Sequence, residues 1–279
     1  MSVARIWIII IAGVISIITG GAARGQTMVQ FPASDPHTHS KVTLRGELVV
    51  PEGKGRFPAV VLMHGCQGWT RADLAGLRDH ARALNGAGFA TLVLDSFGPR
   101  RLGRDGVCDE PQAALDASAY RTADAYDALR YLRSRADIDG GNVFQMGQSL
   151  GGGVAIRLAQ SPSMLFSGAA ILGQNAQPFR AVAAFYPPCS FMPPRQLEQI
   201  TDLIVFAGVK DTWTPPGACQ GSKNARGFTY DLIVYRGAVH SFDLPMKVTG
   251  YLGHRVGLNR TARADSRRRM IQFFKERLR

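Results

Sequence analysis

Apolar and polar positions fall into short, distinct runs along the chain. Val42 to Val50 alternates between the two, the period of a strand with one wet face. Ala59 to Met63, led by Pro58, is continuously apolar, as a strand buried on both faces must be. Ala72 to Leu84 repeats at helical spacing and is closed by Gly86 and Gly88; Phe89 to Leu94 is the next buried strand. An irregular stretch, Ser96 to Pro111, precedes a long helix over Ala113 to Arg133. Asn142 to Met146 reads as a strand, followed at once by a glycine-rich turn and a helix from Leu150 to Gln160. Ala181 to Phe185, Leu203 to Phe206 and Leu232 to Tyr235 are further apolar runs, and a last helix spans about Ala262 to Leu278. Strands alternating with helices predict a mostly parallel sheet covered by helices on both faces. Ligands bind such sheets at the carboxyl ends of the strands. With no internal repeat or low-complexity linker, the 279 residues predict one α/β domain after the N-terminal segment.

That first segment is set aside. Met1 to Arg5 is short and positively charged, Ile6 to Ile18 is almost unbroken apolar sequence, and Gly20-Gly21-Ala22-Ala23 supplies small residues. This is the layout of a secretory signal, residues 1–25, with cleavage expected after Ala23 or Gly25. The apolar run is shorter than the roughly 20 residues of a spanning helix, which favours a membrane met only transiently, during export, over the alternative of an uncleaved anchor. A periplasmic or secreted domain over 26–279 follows.

Export changes how the cysteines are read. Cys66, Cys108, Cys189 and Cys219 are an even number in an oxidising compartment, where disulfides form. Their spacing matches no common zinc pattern, so no metal is expected. The favoured pairs are Cys66–Cys108 and Cys189–Cys219, because each joins loops that leave successive strands at the same sheet edge. The net charge of +12 sits largely at the end, from Arg255 through Arg267, Arg268, Arg269 and Arg279. Met270, Phe273, Phe274 and Leu278 recur at helical spacing there, so the arginines read as the wet face of a docked helix and not as a nucleic-acid surface.

The candidate chemistry lies just after predicted strands. Gly147-Gln148-Ser149-Leu150-Gly151 is a G-x-S-x-G motif set between a strand and a helix. There the serine occupies a sharp, strained turn whose flanks admit only glycine, and the following helix aims its positive end at the hydroxyl. Ser149 is the expected nucleophile; a plain helix cap is the bland alternative. A phosphate-binding loop is excluded by the missing lysine and glycine spacing. A serine hydroxyl needs a base. In the order serine, acid, histidine, only His240 and His254 follow Ser149, and His240 stands in the short loop leaving the last strand. Asp211, after the strand Leu203 to Phe206, is the expected acid; Asp202 stands at the wrong end of that strand and Asp243 too near the histidine in sequence. His64-Gly65-Cys66-Gln67-Gly68 follows the first buried strand. Its Cys66 N–H, with that of Leu150, is the expected oxyanion site, and His64 reads as structural.

Taken together, His64-Gly65-Cys66, Asp95-Ser96-Phe97-Gly98-Pro99-Arg100, Met146 to Gly152, Asp211 and Gly237-Ala238-Val239-His240-Ser241-Phe242 make the chain from about Val42 to Leu278 resemble the dienelactone hydrolase family. The resemblance implies the α/β-hydrolase fold, acylation of Ser149 by an ester or lactone, and release of the acyl group by water activated through His240, without a cofactor. The namesake enzymes carry cysteine where Ser149 stands and a glutamate in the loop of Gly65-Cys66, so a general carboxylic ester hydrolase is expected here. Arg100, Arg101 and Arg104, on the active edge, are candidates to attract a carboxylate. Trp69, Tyr186 and Trp213 are candidates to line the pocket. The expected partner is a small-molecule ester or lactone, with the chain a monomer or homodimer. The rival readings are a serine peptidase or acyltransferase on the same fold, and a non-catalytic binding protein.

Overall fold

The computed structural model describes residues 25–34, 41–102, 106–160, 177–190, 199–220 and 227–279. The expected leader, residues 1–25, lies outside them except for Gly25. Eight strands form the central sheet: β1 (Thr27–Pro32), β2 (Thr43–Val49), β3 (Phe57–Met63), β4 (Ala90–Asp95), β5 (Ile138–Gln148), β6 (Ala181–Phe185), β7 (Asp202–Gly208) and β8 (Tyr230–Tyr235). Their order is β1-β2-β4-β3-β5-β6-β7-β8. β1 and β2, and β2 and β4, pair antiparallel; every pair from β4 to β8 is parallel.

The helices cover both faces because the buried strands carry apolar side chains on both. On β3, Ala59, Val61 and Met63 pack against α2 (Pro111–Arg133) and α3 (Leu150–Leu158) through Leu129, Val154 and Ile156. Val60 and Leu62 face the other way, against α1 (Arg71–Gly86) and α4 (Arg260–Lys275) through Leu77, Leu84, Met270 and Phe274. Both outer helices are capped as their sequences demand. Thr70 accepts from the Asp73 N–H, and Asn259 accepts from the Ala262 N–H at 3.0 Å.

Three differences from the sequence reading have physical causes. β1 has no counterpart among the runs read from sequence; it pairs antiparallel on the outer side of β2, and its short alternation follows directly on the apolar N-terminal segment in sequence. The connection after His240 holds a hairpin of two three-residue strands, β9 (Thr249–Tyr251) and β10 (His254–Val256), too short to leave a periodic signal. Leu278 lies beyond the end of α4 and is exposed, so the docked face of that helix is formed by Met270, Phe273 and Phe274 with Ala262 and Ser266, without Leu278. The arginines of α4 are held at its surface: Arg263 and Arg267 reach Asp79 on α1, and Arg268 and Arg269 reach Asp265.

Two disulfides, Cys66–Cys108 and Cys189–Cys219, are the pairs the topology favoured, and they fit an oxidising compartment. Among the described residues no helix is long and apolar enough to cross a membrane.

Candidate active site

β5 ends at Gln148 and α3 starts at Leu150, so Ser149 is the whole turn between them. Its backbone sits at φ 49° and ψ −114°, a conformation costly for a residue with a side chain. The neighbouring glycines let the turn close. A Cβ on Gly147 would lie 2.0 Å from the Gly151 carbonyl oxygen, and one on Gly151 would lie 2.5 Å from that of Met63. The Ser149 N–H donates to the Phe185 carbonyl at 2.9 Å, tying the turn to the end of β6.

His240 meets this turn from the loop after β8. Its Nε2 lies 3.0 Å from Ser149 Oγ, and its Nδ1 lies 2.8 Å from Asp211 Oδ2. An ionised carboxylate only accepts, so Nδ1 carries the proton and Nε2 is left to accept from the serine hydroxyl. Both distances lie within reach for proton transfer. The loop is fixed by backbone contacts as well: β10 bridges to His240 through Val256, and the Gly257 N–H donates to the His240 carbonyl at 2.9 Å.

Asp211 stands three residues past β7 and is almost wholly buried. Burial pushes its carboxyl up, but the hydrogen bond and charge of His240, with the Thr214 N–H and hydroxyl, outweigh this and hold it below the usual carboxylate range. The Trp213 and Thr214 N–H groups both donate to its Oδ1 at 2.9 Å. Thr214 is a further member of the site, absent from the residues singled out by sequence. Its hydroxyl lies 2.8 Å from Asp211 Oδ2, 3.1 Å from His240 Nδ1 and 3.0 Å from the Tyr186 carbonyl, so it braces the two side chains together. The available signal was a threonine three residues after an aspartate in a loop, the spacing of a side-chain turn.

Ser149 opens onto a cavity of about 190 Å³. Cys66 and Leu150, the expected oxyanion residues, line it beside the serine, and neither backbone N–H has a partner among the described residues. The Cys66–Cys108 disulfide forms one wall and Val107, Pro111, Ala114, Leu115 and Pro188 continue it. Trp213 also lines it, with its ring 4.9 Å from that of His240 and its plane stacked on His254.

The other substrate candidates lie elsewhere. Trp69 lines a neighbouring cleft with Arg45, whose guanidinium lies 5.8 Å from its ring, and is not part of the wall beside the serine. Tyr186 is buried behind His240, edge-on at 4.7 Å, and is no part of the cavity wall. Arg100 donates to both oxygens of Asp124, at 2.9 and 2.8 Å, and stacks on Tyr120; its side chain is only 7% exposed, so it is committed to the interior. Arg101 is exposed on its turn, outside the cavity wall, and Arg104 lies outside the described residues. His64 is wholly buried, its Nδ1 on the Gly65 carbonyl at 2.7 Å and its Nε2 accepting from the Ser96 N–H at 3.3 Å. Burial first, and the nearby Arg121 second, hold it far below the ordinary histidine range, so it stays neutral and structural.

A mostly parallel sheet with a strained serine elbow, a histidine and a buried aspartate at its carboxyl edge defines a hydrolase of the α/β-hydrolase class. The family model "Dienelactone hydrolase family" matches residues 44–278, and the chain belongs to that family of carboxylic ester hydrolases. No curated protein sequence matches it significantly. Among solved structures it resembles a dienelactone hydrolase-like promiscuous phosphotriesterase, P91, from metagenomic libraries, at 21% identity and TM-score 0.66, covering 90% of this chain and 98% of that one. A putative dienelactone hydrolase from Klebsiella pneumoniae gives 16% identity and TM-score 0.60 over 90% and 99%. An esterase from Thermogutta terrifontis phosphoramylated by tabun gives 18% and 0.61 over 90% and 94%. At these identities the structures speak for the fold.

Proposed function

We propose that the protein is an exported serine hydrolase that cleaves neutral carboxylic esters or lactones through an acyl-enzyme on Ser149. The observation that carries this is the continuous relay Ser149 Oγ, His240 Nε2, His240 Nδ1, Asp211 Oδ2 at 3.0 and 2.8 Å, on a strained turn facing an apolar cavity.

In this reading His240 takes the proton from Ser149 as Oγ attacks the ester carbonyl. The carbonyl oxygen becomes an anion and accepts from the N–H groups of Cys66 and Leu150, the second standing at the positive end of α3. His240, now charged and held by Asp211, gives its proton to the leaving alcohol. Water then attacks the acyl-enzyme with His240 as base, and Ser149 leaves as the protonated hydroxyl. The apolar wall formed by Val107, Leu115, Pro188 and Trp213 favours an apolar group on the substrate, and among the described residues no charged side chain lines it. Residues 1–25 act as a cleaved leader to the periplasm or exterior, a reading the two disulfides support.

The test is hydrolysis of p-nitrophenyl butyrate together with labelling by a fluorophosphonate. The wild type is expected to do both and Ser149→Ala neither. Butyrate hydrolysis retained in Ser149→Ala contradicts the mechanism. An intact mass of the exported protein matching a chain that starts after Ala23 or Gly25 tests the leader.

A further inference from the structure

Behind the contact between Ser149 and His240 lies a second polar cluster that no step of the proposed reaction uses. Its centre is Asp243, wholly buried. Its Oδ2 accepts from His80 Nε2 and from Gln148 Nε2, each at 2.7 Å, and its Oδ1 accepts from the Tyr186 hydroxyl at 2.6 Å. His80, Gln148 and Tyr186 are buried as completely. A carboxylate without partners is very costly in such a place, and three donors offset that cost. Burial would push the Asp243 carboxyl up, but the bond and charge of His80, then the bonds of Tyr186 and Gln148, outweigh it and keep the group ionised.

The four residues come from separate parts of the chain, and three adjoin the candidate machinery. Gln148 is the residue before Ser149. Asp243 is the third residue after His240. Tyr186 is the first residue after β6; its ring packs edge-on against His240 and its carbonyl lies 3.0 Å from the Thr214 hydroxyl. The backbone around the cluster is strained: Ser241, between His240 and Asp243, has φ 57°, and Tyr186 has φ 38°. Such residues persist only where their surroundings hold them. The contacts of Asp243 are suited to hold both.

We propose that Asp243 is a positioning residue, a buried carboxylate that locks the Ser149 turn through Gln148, and the His240 loop through Tyr186 and its own backbone, at the separation proton transfer requires. This rests on the reading of Ser149 and His240 as nucleophile and base. None of the four residues lines the cavity beside Ser149, so their loss acts on turnover and leaves substrate binding in place.

The experiment compares Asp243→Asn, Tyr186→Phe and Gln148→Leu with the wild type on p-nitrophenyl butyrate. Active sites are counted by fluorophosphonate titration, so that unfolded molecules do not contribute. Tyr186→Phe and Gln148→Leu, each removing one bond to the charge, are expected to lower kcat about tenfold, and Asp243→Asn about a hundredfold, with KM within about twofold. The downfield proton resonance of His240 Nδ1–H supplies a readout that loss of stability alone does not move. It should shift or broaden in Asp243→Asn and stay in place in Phe274→Leu, a core substitution on α4. Unchanged kcat per active site, with that resonance in place, overturns the proposal even where the melting temperature falls. If Asp243→Asn fails to fold, the other two variants decide on the same criteria. Butyrate hydrolysis surviving in Ser149→Ala is a different result: it removes the underlying reading and not the positioning role alone.

Discussion

Thr214 is the residue whose contribution is most out of proportion to its visibility in sequence. Its single hydroxyl stands within hydrogen-bonding distance of Asp211, His240 and the Tyr186 carbonyl. Thr214→Val keeps the shape and removes that oxygen. Because the bond is to a charged group, kcat is expected to fall about ten- to a hundredfold with little change in KM, measured by steady-state ester hydrolysis. Asp73 gives a test of electrostatics at the same scale. It is buried near the oxyanion loop, and burial, with the charge of Asp243 adding to it and the Thr70 hydrogen bond opposing, raises its carboxyl to about 6. A carboxyl with a raised folded-state value costs stability once ionised: the penalty is complete above pH 6 and fades as pH falls below it. Asp73→Asn should therefore stabilise the fold at pH 8, by up to about 3 kcal/mol, and by clearly less at pH 5. Chemical denaturation at both pH values measures the difference; equal gains at both would contradict it.

The groups proposed to react stand out in the sequence because their turn chemistry is local. Gly147-Gln148-Ser149-Leu150-Gly151 between a strand and a helix, and single polar residues just past apolar runs, are signals carried by neighbours in the chain. The supporting groups were not legible. Asp243 meets His80 across 163 positions and Gln148 across 95, and such pairings leave no periodicity. Arg100 looked available for substrate because Asp124, which holds it, lies on another element. The β9–β10 hairpin and β1 escaped for a different reason, being too short or too close to the apolar N-terminal segment for alternation to stand out. Where the sequence does speak, it speaks through sterics. Gly151 lies at the crossing of α3 with the end of β3, where a Cβ would stand 2.5 Å from the Met63 carbonyl oxygen and 2.7 Å from that of His64. Gly151→Ala is expected to push α3 away from β3 and displace the Leu150 N–H. The cost is about 1–3 kcal/mol or more in stability, a fall of several degrees in melting temperature, together with a loss of kcat.

Across the whole molecule the two disulfides have different tasks. Cys189–Cys219 closes a loop of sequence separation 30 with neither sulfur in the cavity wall, whereas Cys66–Cys108 forms part of that wall and holds the residue whose N–H is the proposed oxyanion donor. Each bridge is worth about 2–4 kcal/mol through restriction of the unfolded chain. The paired variant Cys189→Ala with Cys219→Ala should lower the melting temperature and leave kcat near its original value. Cys66→Ala with Cys108→Ala should lower both, with kcat falling at least about tenfold as the donor loses its place. Equal kcat in the two variants would contradict that division. The strand-and-helix alternation and the clustering of chemistry at one sheet edge carried the fold from sequence to structure, and the basic C-terminus resolved into a docked helix whose Arg263, Arg267, Arg268 and Arg269 are paired with aspartates. A covalent acyl group on Ser149 is read by acid quenching of the enzyme during turnover of p-nitrophenyl acetate, followed by peptide mapping. An acetyl group on Ser149 is expected. An acetyl group on another residue, or turnover with no acylated peptide in a variant slowed at deacylation, would contradict it.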